Sequence, residues 1–313
     1  MRPYIVRRVL LIVPLIWGVV TTVFLVIHLL PGDPAAVLLG PFATGEREAA
    51  LRHMWGLDQP LLVQYLHYLR NVAAGDFGTS FLTGEPAAYQ ILSLLPYTVV
   101  LGVSALVIAV GAGVPLGVAA AVRNGTPVDR LSLLASLLLI STPSFLVGIV
   151  LLIVFSGRLG WLPAIGAGTF VHPGSIVSHV ILPAFALAAA LLAYLTRITR
   201  TTLLSVLRED YVRTARAKGL GAGVIVFVHA LRNAMLPVLS ILGLAAGDVV
   251  GGAVVIETVF ARPGIGSLLV NSVTGRDYVQ VQACVIVLAA SFVIMNLVTD
   301  MCYAAVDPRI QYQ

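Results

Sequence analysis

Charge is what this sequence has least of. Asp, Glu, Lys and Arg make up 11% of its 313 residues, against 59% apolar residues and a mean hydropathy of +0.99. A soluble domain carries about a quarter charged residues, and so few charges cannot cover a soluble core of this size. The chain is therefore read as a bilayer protein, and length alone does not fix its domain number. Cysteine is nearly absent. Cys284 and Cys302 fall on what reads as one helix, roughly 27 Å apart at 1.5 Å per residue, too far to pair. No Cys/His cluster has ligand spacing, so neither a disulfide framework nor a metal site is supported. A phosphate-cradling loop followed by Lys and Ser or Thr is missing too. Lys218-Gly219 has the wrong order, and Gly219, Gly221 and Gly223 miss the dinucleotide spacing. The chain binds no cofactor of its own on this reading. No His-Glu-x-x-His, Gly-x-Ser-x-Gly or convergent acidic pair occurs in the apolar stretches, so no catalytic residue is assigned and an intramembrane enzyme is disfavoured.

Long apolar runs are what the sequence does have. Six are long enough to cross a hydrocarbon layer of about 30 Å: Val9 to Leu30, Tyr97 to Val122, Leu131 to Phe155, Val177 to Leu195, Leu236 to Ile256, and Val281 to Val306. The expected fold class is an all-α polytopic membrane protein with six transmembrane helices. The first run, behind Arg2, Arg7 and Arg8, exceeds a signal-peptide core and lacks an A-x-A cleavage pattern, so it is read as an uncleaved span. With the N-terminus inside, Arg2, Arg7, Arg8, Arg123, Arg130, the seven basic residues from Arg197 to Arg232, and Arg309 lie in the cytoplasm. Arg47, Arg52, Arg70, Arg158, Arg262 and Arg276 lie outside. That split is 13 against 6 of the 19, the asymmetry that fixes orientation in membrane proteins. Both termini are expected in the cytoplasm. The net charge of +5 then reflects topology and lipid contact and implies no nucleic-acid partner.

The polar segments divide the chain into 1–30, a tail and first span; 31–96, an extracytoplasmic cap; 97–306, the core of spans two to six with a cytoplasmic loop at 197–236; and 307–313, a cytoplasmic tail. In the cap, Gly45 to Gly56 and Pro60 to Val72 read as short helices, stopped by Gly56 and started by Pro60, and Pro86 to Leu95 feeds the second span. The inner loop reads as two helical pieces, Thr201 to Lys218 and Val224 to Met235, joined by a glycine turn, with Pro237 opening the next span. Two readings fit it: a rigid lever at the membrane face, or a basic segment attracted to anionic headgroups.

The run Asp210-Tyr-Val-Arg-Thr-Ala-Arg-Ala-Lys-Gly219-Leu220, followed by His229-Ala-Leu-Arg-Asn-Ala-Met-Leu-Pro237, resembles the cytoplasmic loop of binding-protein-dependent ABC importer permeases. It closely resembles the dipeptide, oligopeptide and nickel branch. The general loop begins Glu-Ala-Ala, whereas Arg213-Thr214-Ala215 stands here and Pro237 lies farther on, departures which that branch tolerates. Leu30-Pro-Gly-Asp-Pro34, Gly56-Leu-Asp-Gln-Pro60, Gly75-Asp-Phe-Gly78, Pro115-Leu-Gly117, Glu257-Thr-Val-Phe260 with Pro263-Gly-Ile-Gly266, and Asp307-Pro-Arg309 resemble, in that order, its B-type subunit. Gly160-Trp161-Leu162-Pro163 is similar to glutathione and dipeptide permeases.

The resemblance implies a type I ABC importer permease fold with a small helical cap after the first helix, in the bacterial inner membrane. It implies a homologous C-type permease subunit as partner, two cytoplasmic ATPases or one fused ATPase holding ATP and Mg, and an extracytoplasmic substrate-binding protein. It implies import of dipeptides, oligopeptides or glutathione by alternating access, with a nickel or metal-chelate cargo as the alternative in the same family. It also implies that Ala215, Lys218, Gly219 and Leu220 form a coupling helix seated on the ATPase, against the plainer reading of Gly219 as a helix stop. An ion-coupled stand-alone carrier is the reading from another class, yet it needs dedicated intramembrane charges, and inverted repeats with broken helices are not evident.

Ionisable residues inside spans are functional candidates by default. Asp248 lies mid-span among Gly243, Gly247, Gly251 and Gly252; lining the translocation path, pairing with a partner subunit and facing trapped water all fit it. Asp300 reads as structural or interfacial. Glu257, Pro263, Gly264 and Gly266 are candidates for an extracytoplasmic gate or a binding-protein contact, with a plain loop as the other reading. His28, His172 and His179 invite a nickel site, but histidines scattered at interfaces are more often packed or solvated, and no metal site is assigned.

Overall fold

The computed structural model describes residues 2–29, 45–54 and 58–306, all regular elements being helical among them. In chain order these are α1 (Arg2–Leu29), α2 (Gly45–Met54), α3 (Leu61–Ala73), α4 (Ala87–Val122), α5 (Pro127–Ser141), α6 (Ser144–Leu151) running on as a π-helical segment (Leu152–Arg158), α7 (Pro173–Val206), α8 (Asp210–Ala217), a short turn (Ala222–Val224) with a second π-helical segment (Ile225–Ala230) leading into α9 (Leu231–Val259), α10 (Ile265–Thr274) and α11 (Tyr278–Val306).

Small residues explain the centre. Along α4 a stripe at intervals of four, Leu101, Ala105, Ala109, Gly113, Gly117 and Ala121, is buried, one face of a helix with 3.6 residues per turn. It meets the buried face of α7, which includes Ala184, Ala188, Leu191, Leu192, Leu195, Thr196 and Thr199. A Cβ on Gly113 would stand 2.8 Å from the Leu192 carbonyl oxygen, and one on Gly117 2.6 Å from that of Thr196. Without a hydrophobic drive between helices in lipid, such backbone approach is how spans associate. α9 packs on α7 and α11, and α5 and α6 lie against α7, which makes α7 the hub.

Among the described residues, Ala87–Val122, Pro173–Val206, Ala222–Gly243 and Tyr278–Thr299 are long and apolar enough to cross a membrane, and the α5 and α6 pair makes up to five. The expected third span departs most from the sequence reading. It is bent by 108° between Ser141 and Ser144, because Pro143 disfavours helical backbone at the residue before it, and Thr142 is extended at φ −101, ψ 123. The segment expected to feed span two is instead continuous with it through Pro96. The first inner-loop helix is also broken: α7 ends at Val206, and Glu209, extended, caps a separate α8. Pro237 does not open a span but sits inside α9, in the continuous path that begins at Ala222.

Both short helices of the 31–96 segment form. α3 lies along α1, where Tyr65 and Tyr68 stack near Phe24 at ring separations of 5.2 and 5.5 Å and the Tyr65 and Thr21 hydroxyls share a hydrogen bond of 2.6 Å. Downstream, the Ser80 hydroxyl donates to buried Asp277 at 2.5 Å, whose other oxygen accepts the Gln280 amide at 3.1 Å. One carboxylate thus caps α11 and pins the 79–86 turn to it. The Leu30 to Pro34 and Asp307 to Arg309 motifs and Gly56 lie outside the described residues.

Gly117→Ala is expected to lower the stability of the detergent-solubilised protein by about 1–3 kcal/mol, the range for overpacking. Gly111→Ala, where a Cβ meets nothing within 4 Å, is expected to leave it unchanged. Paired thermal melts check both.

Candidate coupling loop, pathway face and outer hub

The inner loop is a helix, a left-handed stop and a second helix. α8 ends with the Leu220 amide donating to the Ala215 carbonyl at 3.3 Å and the Gly219 amide to that of Arg216 at 3.0 Å. Gly219 between them is at φ +79. These paired bonds around a left-handed residue are the Schellman stop, which glycine adopts without the penalty of a side chain. Space is not the constraint, since a Cβ there meets nothing within 4 Å. Lys218, Gly219 and Leu220 are exposed and Ala215 half-buried. Around them Tyr211, Val224, Phe227 and Val228 are exposed too, beside Arg213 and Arg216. The structure therefore brings the four expected residues together on one projecting turn with an apolar and basic surface.

That turn is wired to the bundle. Buried Val212 faces inward from α8, which packs on the π-helical segment, and the Asn233 amide donates to the Tyr211 hydroxyl at 2.8 Å. On α7, the Thr202 hydroxyl donates to the Ala234 carbonyl at 3.3 Å. Half a turn earlier, Arg200 grips Asp129 on α5 with Nε on one carboxylate oxygen and Nη2 on the other, the second at 2.8 Å. The same Nη2 donates to Asn124 at 3.1 Å, and the Gly125 amide to Asp129 at 2.9 Å. A cleft of about 470 Å³ opens beside this pair, lined by Arg200, Leu204, Arg208, Glu209 and Asp210 among others.

Asp248 is exposed on α9. The glycines around it divide the helix into faces. A Cβ on Gly243 would overlap Thr299 and one on Gly247 would overlap Phe292, both on α11, while Gly252 faces Leu187 of α7. Gly251 faces open space. Pro237, Ser240, Asp248, Gly251, Val255 and Thr258 are all exposed at spacings of three, four and seven or eight, so they share one helix face. The described residues leave this long, largely polar or small face uncovered. The side chain of Asp300 is outside the described ones.

The outer candidates are mostly buried. Glu257 is 0% exposed. Its carboxylate accepts the Thr98 hydroxyl at 2.6 Å and the Ser267 amide at 3.0 Å, while Thr98 accepts the Ile265 amide at 2.9 Å. Glu257 thereby joins the end of α9, α4 and the first turn of α10. Gly264 and Gly266 are buried as well, and a Cβ on either would overlap Glu257 or Val254, so glycine here makes room for the carboxylate. Pro263 is half-buried. Arg262 is 1% exposed, and its three guanidinium nitrogens make no hydrogen bond among the described residues. Burial pulls its pKa below the ordinary value, opposed by the Glu257 charge.

Of the three candidate histidines, His172 is exposed and the other two are engaged within the fold. His28 meets the Phe24 carbonyl at 2.8 Å and Gln64 at 3.2 Å, and His179 meets the Ser175 carbonyl at 2.7 Å. No group of three or more metal-ligating side chains occurs among the described residues. Sequence reasoning missed Thr98, Asp129, Arg200, Arg262 and Asp277. Asp129 carried a signal, as an acid in the short polar link between two long apolar runs; Thr98 carried none.

Two family models cover nearly the whole chain: "Binding-protein-dependent transport system inner membrane component" matches residues 113–312, and the corresponding N-terminal membrane component matches residues 1–102. The glutathione transport system permease protein GsiC of Salmonella typhimurium strain LT2 is 44% identical over 314 aligned positions, covering 100% of both chains. The same protein of Escherichia coli strain K12 gives the same identity and coverage. Among solved structures, the MetNI methionine ABC transporter in inward-facing conformations superposes with a TM-score of 0.54 at 16% identity, over 70% of this chain and 97% of that one; this likeness is one of fold.

Glu257→Ala strips the acceptor from two part-buried donors, a loss of up to about 1–3 kcal/mol for each group left unsatisfied, and is expected to lower the thermal midpoint. Arg262 makes no hydrogen bond through its guanidinium, yet its charge offsets that of buried Glu257, so Arg262→Met is expected to lower the midpoint less than Glu257→Ala does. Parallel melts of the two variants check the contrast.

Proposed function

The chain belongs to the family of binding-protein-dependent transport system inner membrane components, the multi-pass membrane subunits of ABC importers, and from that premise we propose that its cargo is a peptide, with glutathione the leading candidate. The observation supporting this cargo is full-length identity of 44% to permeases named for glutathione transport. Dipeptides and longer peptides share with glutathione an amide-linked chain that carries ammonium and carboxylate groups.

The proposed assembly has six spans, both termini in the cytoplasm and the 31–96 segment outside. It includes a homologous C-type permease, two ATPase subunits or one fused ATPase that hold ATP and Mg, and a binding protein delivering cargo from outside. The exposed turn from Ala215 to Leu220 supports coupling. A left-handed stop presents it beyond the helices, its apolar surface suits a protein groove, and its bonds to α9 and α7 carry displacement into the bundle. ATP closes the motor subunits, the turn moves with them, and the spans open outward. The motor must favour one conformation over the other, since equal affinity for both would shift nothing.

Asp248 belongs to the path on this reading. The uncovered face of α9 points away from the chain's own core, toward the side where a partner permease would complete a channel, and a carboxylate there meets the ammonium group of a peptide. Glu257, Pro263, Gly264 and Gly266 form the outer gate by joining α9, α4 and α10 from within; buried as they are, contact with the binding protein falls to their exposed neighbours.

Gly219→Asp is expected to insert and assemble normally yet abolish ATP-driven uptake of radiolabelled glutathione in proteoliposomes holding all partners. Gly219→Asn, which accepts left-handed backbone more readily, is expected to retain more uptake; normal uptake by Gly219→Asp contradicts the coupling role. Asp248→Asn is expected to weaken uptake with ATP hydrolysis retained, and unchanged uptake removes Asp248 from the path.

A further inference from the structure

We propose that Asp129 and Arg200 are positioning residues of the transport cycle: their two-pronged ion pair makes α5 move as one piece with the inner end of α7, so that displacement of the coupling turn is delivered to the bent third span. This rests on the reading that the turn at Gly219 receives motion from the ATPase.

The pair is a built device. Gly125, at φ +79, turns the link so that its amide reaches Asp129, and Pro127 starts α5 with Asp129 in the first turn. Asp129 is 2% exposed. Its oxygens together accept Arg200 Nε, Arg200 Nη2 and the Gly125 amide, and Arg200 spends a further contact on Asn124. Desolvating two charges is costly, and apolar side chains of similar volume often serve stability as well or better. What an apolar contact lacks is direction. A bidentate guanidinium and carboxylate lie in one plane and resist both sliding and rotation.

Mechanical continuity runs on both sides of the pair. Toward the cytoplasm, Tyr211 on α8 is bonded to Asn233, and Thr202 on α7 to Ala234, so α8, the start of α9 and the inner end of α7 form one body. Arg200 lies half a turn from Thr202 on that body. Toward the membrane, α5 is intact from Pro127 to Ser141 and then breaks at Thr142-Pro143 with the 108° bend. A straight helix clamped at one end and jointed at the other is a lever arm. The extended residue before the proline is the joint, since hinges are element-terminal residues that absorb backbone rotation.

The test uses the complete transporter with its partner subunits, in a Cys284→Ala, Cys302→Ala background, with spin labels placed in pairs at Arg213 on α8, Leu131 on α5 and Trp161 beyond the third span. All three positions are exposed. Trapping with ATP and vanadate is expected to shift the 213–161 and 131–161 distances and to leave 213–131 unchanged. In Asp129→Asn the 213–161 shift should persist while 131 no longer follows, so that 213–131 changes by about 5 Å, the scale of a one-turn slip. Arg200→Lys keeps the charge without the planar fork and should reproduce this with the thermal midpoint preserved, which a purely stabilising pair would not do. A nucleotide-dependent 213–131 distance in the unsubstituted protein, or a 131 label that still follows in both variants, overturns the proposal. If nucleotide moves neither 213 nor 131 relative to 161, the coupling reading itself fails and the lever with it.

Discussion

The close contact of α4 with α7 is the constraint on which the remaining structure rests. Gly113 and Gly117 let the two backbones approach until the Leu192 and Thr196 carbonyls fill the space where side chains would be. That contact sets the position of α7, and α7 in turn receives α5, α6 and α9. Its extension toward the 197–236 loop carries Arg200 and Thr202, so the geometry of that loop is inherited from a seam made of alanine and glycine between the spans. In lipid the helices gain little from hiding apolar surface, and fit between small residues takes over the role that a greasy core has in water.

Polar groups occur at the two ends of this frame and do different work. At one end Glu257 gathers Thr98 and Ser267, and Asp277 gathers Ser80 and Gln280; each joins segments distant in sequence and is almost fully enclosed. At the other end Asp129 and Arg200 link two helices beneath a projecting turn. Asp248 is different from all of these, since it is exposed and has no hydrogen bond or ion pair among the described residues, on a helix face that those residues leave bare. Carboxylates enclosed within the fold and one left exposed on a helix face are thus separated by their surroundings alone.

Much of this was legible in the sequence. Apolar run length located the long helices, and the order of short motifs identified the family, because both signals are local along the chain. The turn at Gly219 was legible for the same reason, and its left-handed backbone agrees with the glycine there. What was not legible depends on neighbours far away in sequence. Thr98 has no pattern of its own until α10 is placed against it, and Asp129 needs Arg200 from α7. The outer motif with Glu257, Gly264 and Gly266 was visible as a motif, yet its loop-like composition concealed that the glycines are there to enclose a carboxylate. The break at Pro143 was missed because a long apolar run outweighed one proline, although the residue before a proline resists helix in lipid as in water.

In the proposed coupling role, the turn from Ala215 to Leu220 is the seat of a motor protein, and the basic residues near it serve mainly to hold the loop in the cytoplasm. A photo-crosslinking amino acid at Leu220, in cells expressing the whole transport system, tests this most directly. The expected result is a covalent adduct with the ATPase subunit, identified by mass spectrometry, whose yield changes on depletion of ATP. Adducts with lipid alone, or none with the ATPase while the transporter is assembled and active, contradict it.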